Sequence, residues 1–191
     1  MGRIGILGGT FDPPHIGHLI LAQEAIVGLH LGKIAFVPAA HPPHKGSTPI
    51  ASPEQRWEMV SLAISDNPQF EALNIELRRP GPSYTVDTIR ELGRMWGPEQ
   101  ELFFLMGSDS LQELPTWKEP ENLIKICRVV VATRPGFTPQ GEFARKVVVL
   151  KMPPVGVSST LIRERVKRGE PIRYLVPQEV EQYVLREGLY L

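Results

Sequence analysis

A doubly wound α/β fold is what this sequence predicts, on three observations. Short apolar runs that read as strands alternate with amphipathic stretches that read as helices along nearly the whole chain. Two of the runs, L-F-F-L-M at 102–106 and V-V-V-A at 129–132, are unbroken apolar, as expected of strands covered on both faces. Polar, glycine-bearing strings follow the strands, which places the chemistry at the carboxyl edge of a parallel sheet.

Residues 3–7 form the first strand, which stops at Gly8-Gly9. Residues 16–29 form a helix with Leu19, Ala22, Ala25, Ile26 and Leu29 on one stripe. A second strand spans 33–37, and 41–49 is a loop rich in Pro and His. Ser52-Pro53-Glu54-Gln55 starts a helix by its chemistry: a serine cap, proline at the first helical position, and glutamine three residues after the cap. That helix runs to about residue 65 with Trp57, Val60, Leu62 and Ile64 inward. A third strand at 72–77 precedes the rigid turn Pro80-Gly81-Pro82. A helix over 85–95 buries Val86, Ile89 and Leu92. The fourth strand is 101–106, a short helix 119–126, and the fifth and sixth strands 128–132 and 146–150. Helices at 159–167 and 177–186 close the chain. Right-handed crossovers turn this order into a mainly parallel sheet with helices on both faces. The expected architecture is a Rossmann-like doubly wound parallel sheet of about five to six strands, one domain over 1–191 with a small C-terminal helical region at about 158–191.

Composition narrows the function. Lys plus Arg (21) equals Asp plus Glu (21), so there is no basic footprint for nucleic acid. The single cysteine, Cys127, cannot close an intrachain disulfide, which fits a reducing, cytoplasmic setting. Residues 1–8 are too short and glycine-rich for a signal-peptide core, and no apolar run nears the roughly 20 residues that span a bilayer. No membrane role is expected. Nineteen prolines and few asparagines lean towards thermostability. The absence of G-x-x-x-x-G-K-[ST] excludes a P-loop, and that of G-x-G-x-x-G argues against a dinucleotide cofactor. Oligomeric state stays open, a homo-oligomer included.

The chemistry concentrates in Gly8-Gly9-Thr10-Phe11-Asp12-Pro13-Pro14-His15-Ile16-Gly17-His18. Glycines let backbone N–H groups approach an anion, and a helix N-terminus adds donors and a favourable dipole. His15 and His18, three apart, share one face of the first turn. As an isolated pair they serve first as polar caps of a helix and second as half of a zinc site, but zinc needs a third ligand, and His41 and His44 lie on a proline-broken loop. Lys45 follows a strand at the binding edge, where a mobile cation can close over a polyphosphate.

Gly8–His18 as written resembles the signature of the HxGH nucleotidyltransferases, which transfer a nucleotidyl group from a nucleoside triphosphate and release pyrophosphate. Val157-Ser158-Ser159-Thr160-Leu161-Ile162-Arg163 resembles the second signature of that family, I-S-S-T-x-I-R, with valine at its first place. Gly107-Ser108-Asp109-Ser110-Leu111 with Leu114-Pro115-Thr116-Trp117, Ser83-Tyr84-Thr85-Val86-Asp87-Thr88 and His41-Pro42-Pro43-His44-Lys45 resemble one branch, the bacterial nicotinate-nucleotide adenylyltransferases. The resemblance implies ATP and nicotinate mononucleotide as substrates, deamido-NAD and pyrophosphate as products, and Mg²⁺ arriving with ATP. It implies His15, His18, Lys45 and Arg163 as catalytic, with His18 at the α-phosphate and Arg163 countering the leaving pyrophosphate. It implies ATP contacts from Gly8, Gly9, Thr10, Phe11, Gly107, Asp109, Arg134, Ser158, Ser159 and Thr160. For the pyridine nucleotide it implies Lys45, Tyr84, Thr85, Asp109 and Trp117, whose face suits ring stacking. Taken singly these residues also have ordinary structural roles: Ser83 or Thr85 as a helix cap, Asp109 as another, and the serines at 158 and 159 as a third. No carboxylate cage for a resident metal is evident. Nicotinamide mononucleotide or pantetheine phosphate as acceptor, and a silent nucleotide-binding module, are the rival readings. Lys118 departs from the branch, where several relatives carry an aromatic or arginine.

Overall fold

The computed structural model describes residues 2–43, 49–133 and 138–191. Six strands form one sheet in the order β3-β2-β1-β4-β5-β6, every neighbouring pair parallel. They are β1 (Arg3–Gly9), β2 (Lys33–Pro38), β3 (Phe70–Ala72), β4 (Glu101–Gly107), β5 (Arg128–Thr133) and β6 (Val148–Lys151). The helices are α1 (Ile16–Leu29), α2 (Pro53–Ala63), α3 (Thr85–Trp96), α4 (Ser108–Glu113), α5 (Pro120–Ile126), α6 (Ser159–Lys167) and α7 (Gln178–Arg186), with a 3₁₀ turn at Leu114–Thr116. Strand order reverses between β1 and β4, so the crevice at their carboxyl ends is where a doubly wound sheet binds its ligand.

The two faces follow from the two-residue period of a strand. Leu7, Phe36, Phe103, Leu105, Val130 and Ala132 enter one core with α1, α2, α6 and α7. Ile6, Val37, Phe104, Met106, Val129 and Val131 enter the other with α3, α4 and α5. Gly5 sits where a Cβ would lie 2.3 Å from Ile34 Cδ1 and 2.9 Å from Leu31 Cδ1. The close approach of the sheet to Leu31 therefore requires glycine there.

The capping box forms as the sequence dictates: Ser52 Oγ accepts from the Gln55 N–H (3.2 Å) and Gln55 Oε1 from the Ser52 N–H (2.9 Å). The expected third strand is displaced. Strand β3 is Phe70–Ala72, the Leu73 N–H makes a last bond to Phe36 O (2.9 Å), and residues 75–78 turn. The alternating A-L-N-I-E-L string misleads because Glu76 is buried, its carboxylate accepting from Thr88 Oγ1 instead of facing solvent. Helix α2 also differs. Its buried stripe is Arg56, Met59, Val60 and Ala63, with Trp57 and Leu62 half-buried. An arginine at a core position defeats a hydrophobicity count. Tyr84, neither Ser83 nor Thr85, caps α3, because Ser83 Oγ accepts from the His41 N–H (3.1 Å). Gly107, not Asp109, caps α4, leaving Asp109 in the first turn. No helix among the described residues is long and apolar enough to cross a membrane.

Candidate active site

Strand β1 delivers Gly8 and Gly9 to the switch point, and the chain then turns through Phe11 at φ +51°. That left-handed backbone is unfavourable for a residue with a Cβ. It is held by burial of the ring, edge-on to His18 (4.9 Å between centroids) and tilted against Phe36 (6.0 Å). His15 caps α1, and its backbone N–H donates to His18 Nδ1 at 3.1 Å. The two rings stack, 3.8 Å apart. With Nδ1 an acceptor, the neutral form of the His18 ring carries its proton on Nε2. Gly17 closes the motif: a Cβ there would meet the His15 ring at 3.0 Å.

His15 is buried, and its Nδ1 has no hydrogen-bond partner among the described residues. Loss of hydration pushes its imidazole down from 6.5 to about 4, so it is neutral at pH 7. The unfolded chain thus takes up a proton here before the folded chain does. Stability from neutral His15 is full above pH 6.5 and is lost as pH falls towards 4. The shift is equivalent to roughly 3 kcal/mol. His15→Gln is expected to flatten the pH dependence of the urea-unfolding free energy across that window; an unchanged slope would assign it to another group.

Not every first-turn amide of α1 is offered to an anion. The Ile16 N–H donates to Leu175 O (3.0 Å) and the His18 N–H to His15 O (2.9 Å). This helix start therefore offers fewer open backbone donors than a bare helix N-terminus would.

The second signature docks directly onto the first. Ser159 Oγ donates to Pro13 O (2.8 Å) and Arg163 Nη1 to Asp12 O (2.8 Å), contacts across 146 and 151 residues. Ser158 Oγ accepts from the Leu161 N–H (3.1 Å), an ordinary N-cap. Thr160 is exposed, and its Oγ1 accepts from Arg163 Nη2 (3.2 Å).

Across the sheet's carboxyl edge, α3 begins with Tyr84 and Thr85, and the 3₁₀ turn after α4 delivers Trp117. The Trp117 ring meets Phe104 edge-on at 6.0 Å. Lys118 Nζ lies 4.8 Å above the Tyr84 ring and 2.8 Å from Asp87 Oδ2. Asp87, in the first turn of α3, thus anchors a cation at the cleft.

One cleft of about 620 Å³ joins these parts. It brings together Gly8, Gly9, Thr10, Phe11, His15, His18, Tyr84, Thr85, Gly107, Asp109, Trp117, Ser158 and Ser159. Thr160 and Arg163 are not among its lining residues; Arg163 bonds Asp12 O in the loop after β1. Lys45 and Arg134 lie outside the described residues. The volume falls within the range typical of small-molecule sites, and the lining combines the glycines and histidines that follow β1 with the aromatic rings of Tyr84 and Trp117.

The comparisons agree with this geometry. A family model described as cytidylyltransferase-like matches residues 6–165. A probable nicotinate-nucleotide adenylyltransferase of Thermus thermophilus is 49% identical over 188 residues, covering 98% of this chain and 99% of the relative. One of Moorella thermoacetica is 44% identical over 199 residues, covering 99% and 92%. The chain belongs to the nicotinate-nucleotide adenylyltransferase family. The solved structure of Plasmodium falciparum nicotinic acid mononucleotide adenylyltransferase complexed with NaAD superposes with a TM-score of 0.82 over 100% of this chain and 98% of that one. At 19% identity, that likeness establishes the fold.

Four residues of this adenylyltransferase-family site were missed by sequence reasoning. Asp12 is buried, its Oδ2 accepting from the Ile50 N–H (2.9 Å) and its Oδ1 from the Ala51 N–H (3.1 Å) and the Tyr190 hydroxyl (2.8 Å). Arg56 is wholly buried and donates to Thr10 O (2.7 Å), Ala40 O (3.2 Å) and Ala51 O (3.2 Å). Glu76 lines the cleft, and burial raises its carboxyl above the usual range. Tyr190, next to the last residue of the chain, is buried. Asp12 alone carried a signal, its place inside the first string.

Proposed function

We propose that this chain transfers the adenylyl group of ATP to nicotinate mononucleotide, yielding deamido-NAD and pyrophosphate. The observation that carries the reading is the single cleft with stacked His15 and His18 at one end and Tyr84, Thr85 and Trp117 at the other. That span suits two nucleotides meeting at their phosphates. A phosphate oxygen of nicotinate mononucleotide attacks the α-phosphorus of ATP in line. The bond from that phosphorus to the oxygen bridging to the β-phosphorus breaks, and pyrophosphate leaves with the electron pair. The attacking oxygen is ionised at pH 7, so no general base is required, and catalysis is positioning plus charge stabilisation.

In this reading His18 Nε2 donates to the α-phosphate, and neutral His15 adds a second contact. Gly8, Gly9, Thr10 and Phe11 line the ATP side, and Ser158, Ser159 and Thr160 sit by the β- and γ-phosphates. Arg163 and Lys45 counter the leaving charge, Asp109 and Gly107 serve the riboses, and Arg134 lies by the adenosine. Mg²⁺ enters as the ATP complex and is substrate, not a resident ion. Asp12, the buried carboxylate of the phosphate loop, already accepts three donors from the chain. The buried free thiol of Cys127 supports a reducing, cytoplasmic setting.

Pyrophosphate release should be measured with ATP and Mg²⁺ against nicotinate mononucleotide, nicotinamide mononucleotide and pantetheine phosphate. Strong preference for the first is expected; preference for another acceptor would discard the pyridine-site reading. Trp117→Ala is expected to raise KM for nicotinate mononucleotide about tenfold through lost stacking, at unchanged KM for ATP. Equal losses for both substrates in initial-rate kinetics would remove the stacking role.

A further inference from the structure

We infer that Tyr190 is a positioning residue for adenylyl transfer, holding Asp12 so that Arg163 stays available to the departing pyrophosphate. The inference rests on the function proposed above and adds a residue that neither signature contains.

The geometry is a relay through one residue. The Tyr190 hydroxyl donates to Asp12 Oδ1 at 2.8 Å, while the main-chain carbonyl of the same Asp12 accepts from Arg163 Nη1 at 2.8 Å. The carboxylate itself stands off from that guanidinium, Oδ2 to Nη1 being 4.0 Å. Three donors keep it there: the Ile50 and Ala51 N–H groups and the Tyr190 hydroxyl. Tyr190 is itself fixed. It is 5% exposed, its backbone takes φ +68°, and the preceding Leu189 N–H bonds Val184 O at 3.0 Å. Burial and the Asp12 charge keep the phenol protonated, so it remains a donor across the physiological range.

Removing the hydroxyl leaves Asp12 Oδ1 with one amide. A carboxylate short of a donor beside an arginine closes the remaining 4.0 Å, because a bond between two ionised groups is stronger than the guanidinium–carbonyl bond it replaces. Arg163 is then drawn into a direct ion pair and is less able to meet the pyrophosphate. Tyr190 is not among the residues that line the cleft, so its effect passes through Asp12 and Arg163.

A double-mutant cycle of wild type, Tyr190→Phe, Arg163→Lys and the double variant tests this. Two quantities are read: calorimetric affinity for pyrophosphate with Mg²⁺, and the first-order rate of a single turnover with ATP and nicotinate mononucleotide. Neither depends on how much of a preparation is folded, so a loss of stability does not mimic the effect. Tyr190→Phe is expected to lower each about tenfold, at unchanged affinity for nicotinate mononucleotide. In the Arg163→Lys background it is expected to add less than about twofold, since the coupled partner is already altered. Wild-type values for Tyr190→Phe, or losses that multiply in the double variant, would overturn the relay. Pyrophosphate affinity reports on the relay even if the wild-type chain turns over none of the three acceptors, an outcome that would count against the proposed reaction instead.

Discussion

Replacing His18 by alanine is expected to lower kcat for pyrophosphate release about 10²–10³-fold, with KM for both substrates changed by less than about threefold. The size of the effect follows from preorganisation. His18 Nδ1 is held by the His15 N–H at 3.1 Å, and its ring is clamped between His15 (3.8 Å) and Phe11 (4.9 Å). The ring orientation is thus fixed before substrate arrives, so in the proposed role little reorganisation accompanies the charge that builds on the α-phosphate. Alanine removes the donor and leaves a gap that water fills with less directional bonds. The measurement is steady-state pyrophosphate release over a matrix of ATP and nicotinate mononucleotide concentrations. Near-normal turnover would deny His18 its role. A rise in KM at constant kcat would make it a ground-state binding residue instead.

Arg56→Leu is expected to destabilise the fold by about 3–5 kcal/mol, the cost of breaking a buried charged network by removing one partner. The arginine is wholly buried and is the donor to three carbonyls, those of Thr10, Ala40 and Ala51. These belong to three segments: the loop after β1, the loop after β2, and the approach to α2. Leucine fills part of the volume but leaves those carbonyls without their donor and Asp12 without the nearby cation that its field favours. Arg56→Lys is expected to recover less than half the loss, because one ammonium cannot reproduce the planar fork that reaches three acceptors. Urea unfolding followed by far-UV circular dichroism decides it. A loss below about 1 kcal/mol for the leucine variant would mean that water replaces the guanidinium, contrary to full burial.

Much of the fold was legible because its signals are local. The unbroken apolar runs at 102–106 and 129–132 became the central strands β4 and β5, buried on both faces. The serine–proline–glutamine start of α2 formed its box residue for residue. The third strand was not legible. The alternation at 72–77 is real, but Glu76 turns inward to Thr88 on another element, and no window of sequence contains that partner. The capping residues of α3 and α4 shifted for the same reason, since Ser83 is engaged by the His41 amide and Asp109 follows a glycine that caps instead.

In the candidate site, the residues readable in sequence are those whose type and spacing express the chemistry. Two histidines three apart at a helix start share one face wherever they occur, and here they line the cleft with Trp117 and Thr85. Arg56, Glu76 and Tyr190 have no such spacing. Each looks like an ordinary member of a helix, a turn or a terminal segment.

The alternation of strands and helices, the edge of the sheet where the cleft lies, and the two strings that meet there were all readable from the sequence. These depend on periodicity and on contacts within a few residues, where spacing along the chain is spacing in three dimensions. Only the tertiary structure decided which polar groups are buried and what satisfies them. Ser159 on Pro13, Arg163 on Asp12 and Tyr190 on Asp12 join positions 146, 151 and 178 residues apart. A buried donor or acceptor must find its partner wherever packing places one, and that demand is met in the folded chain alone.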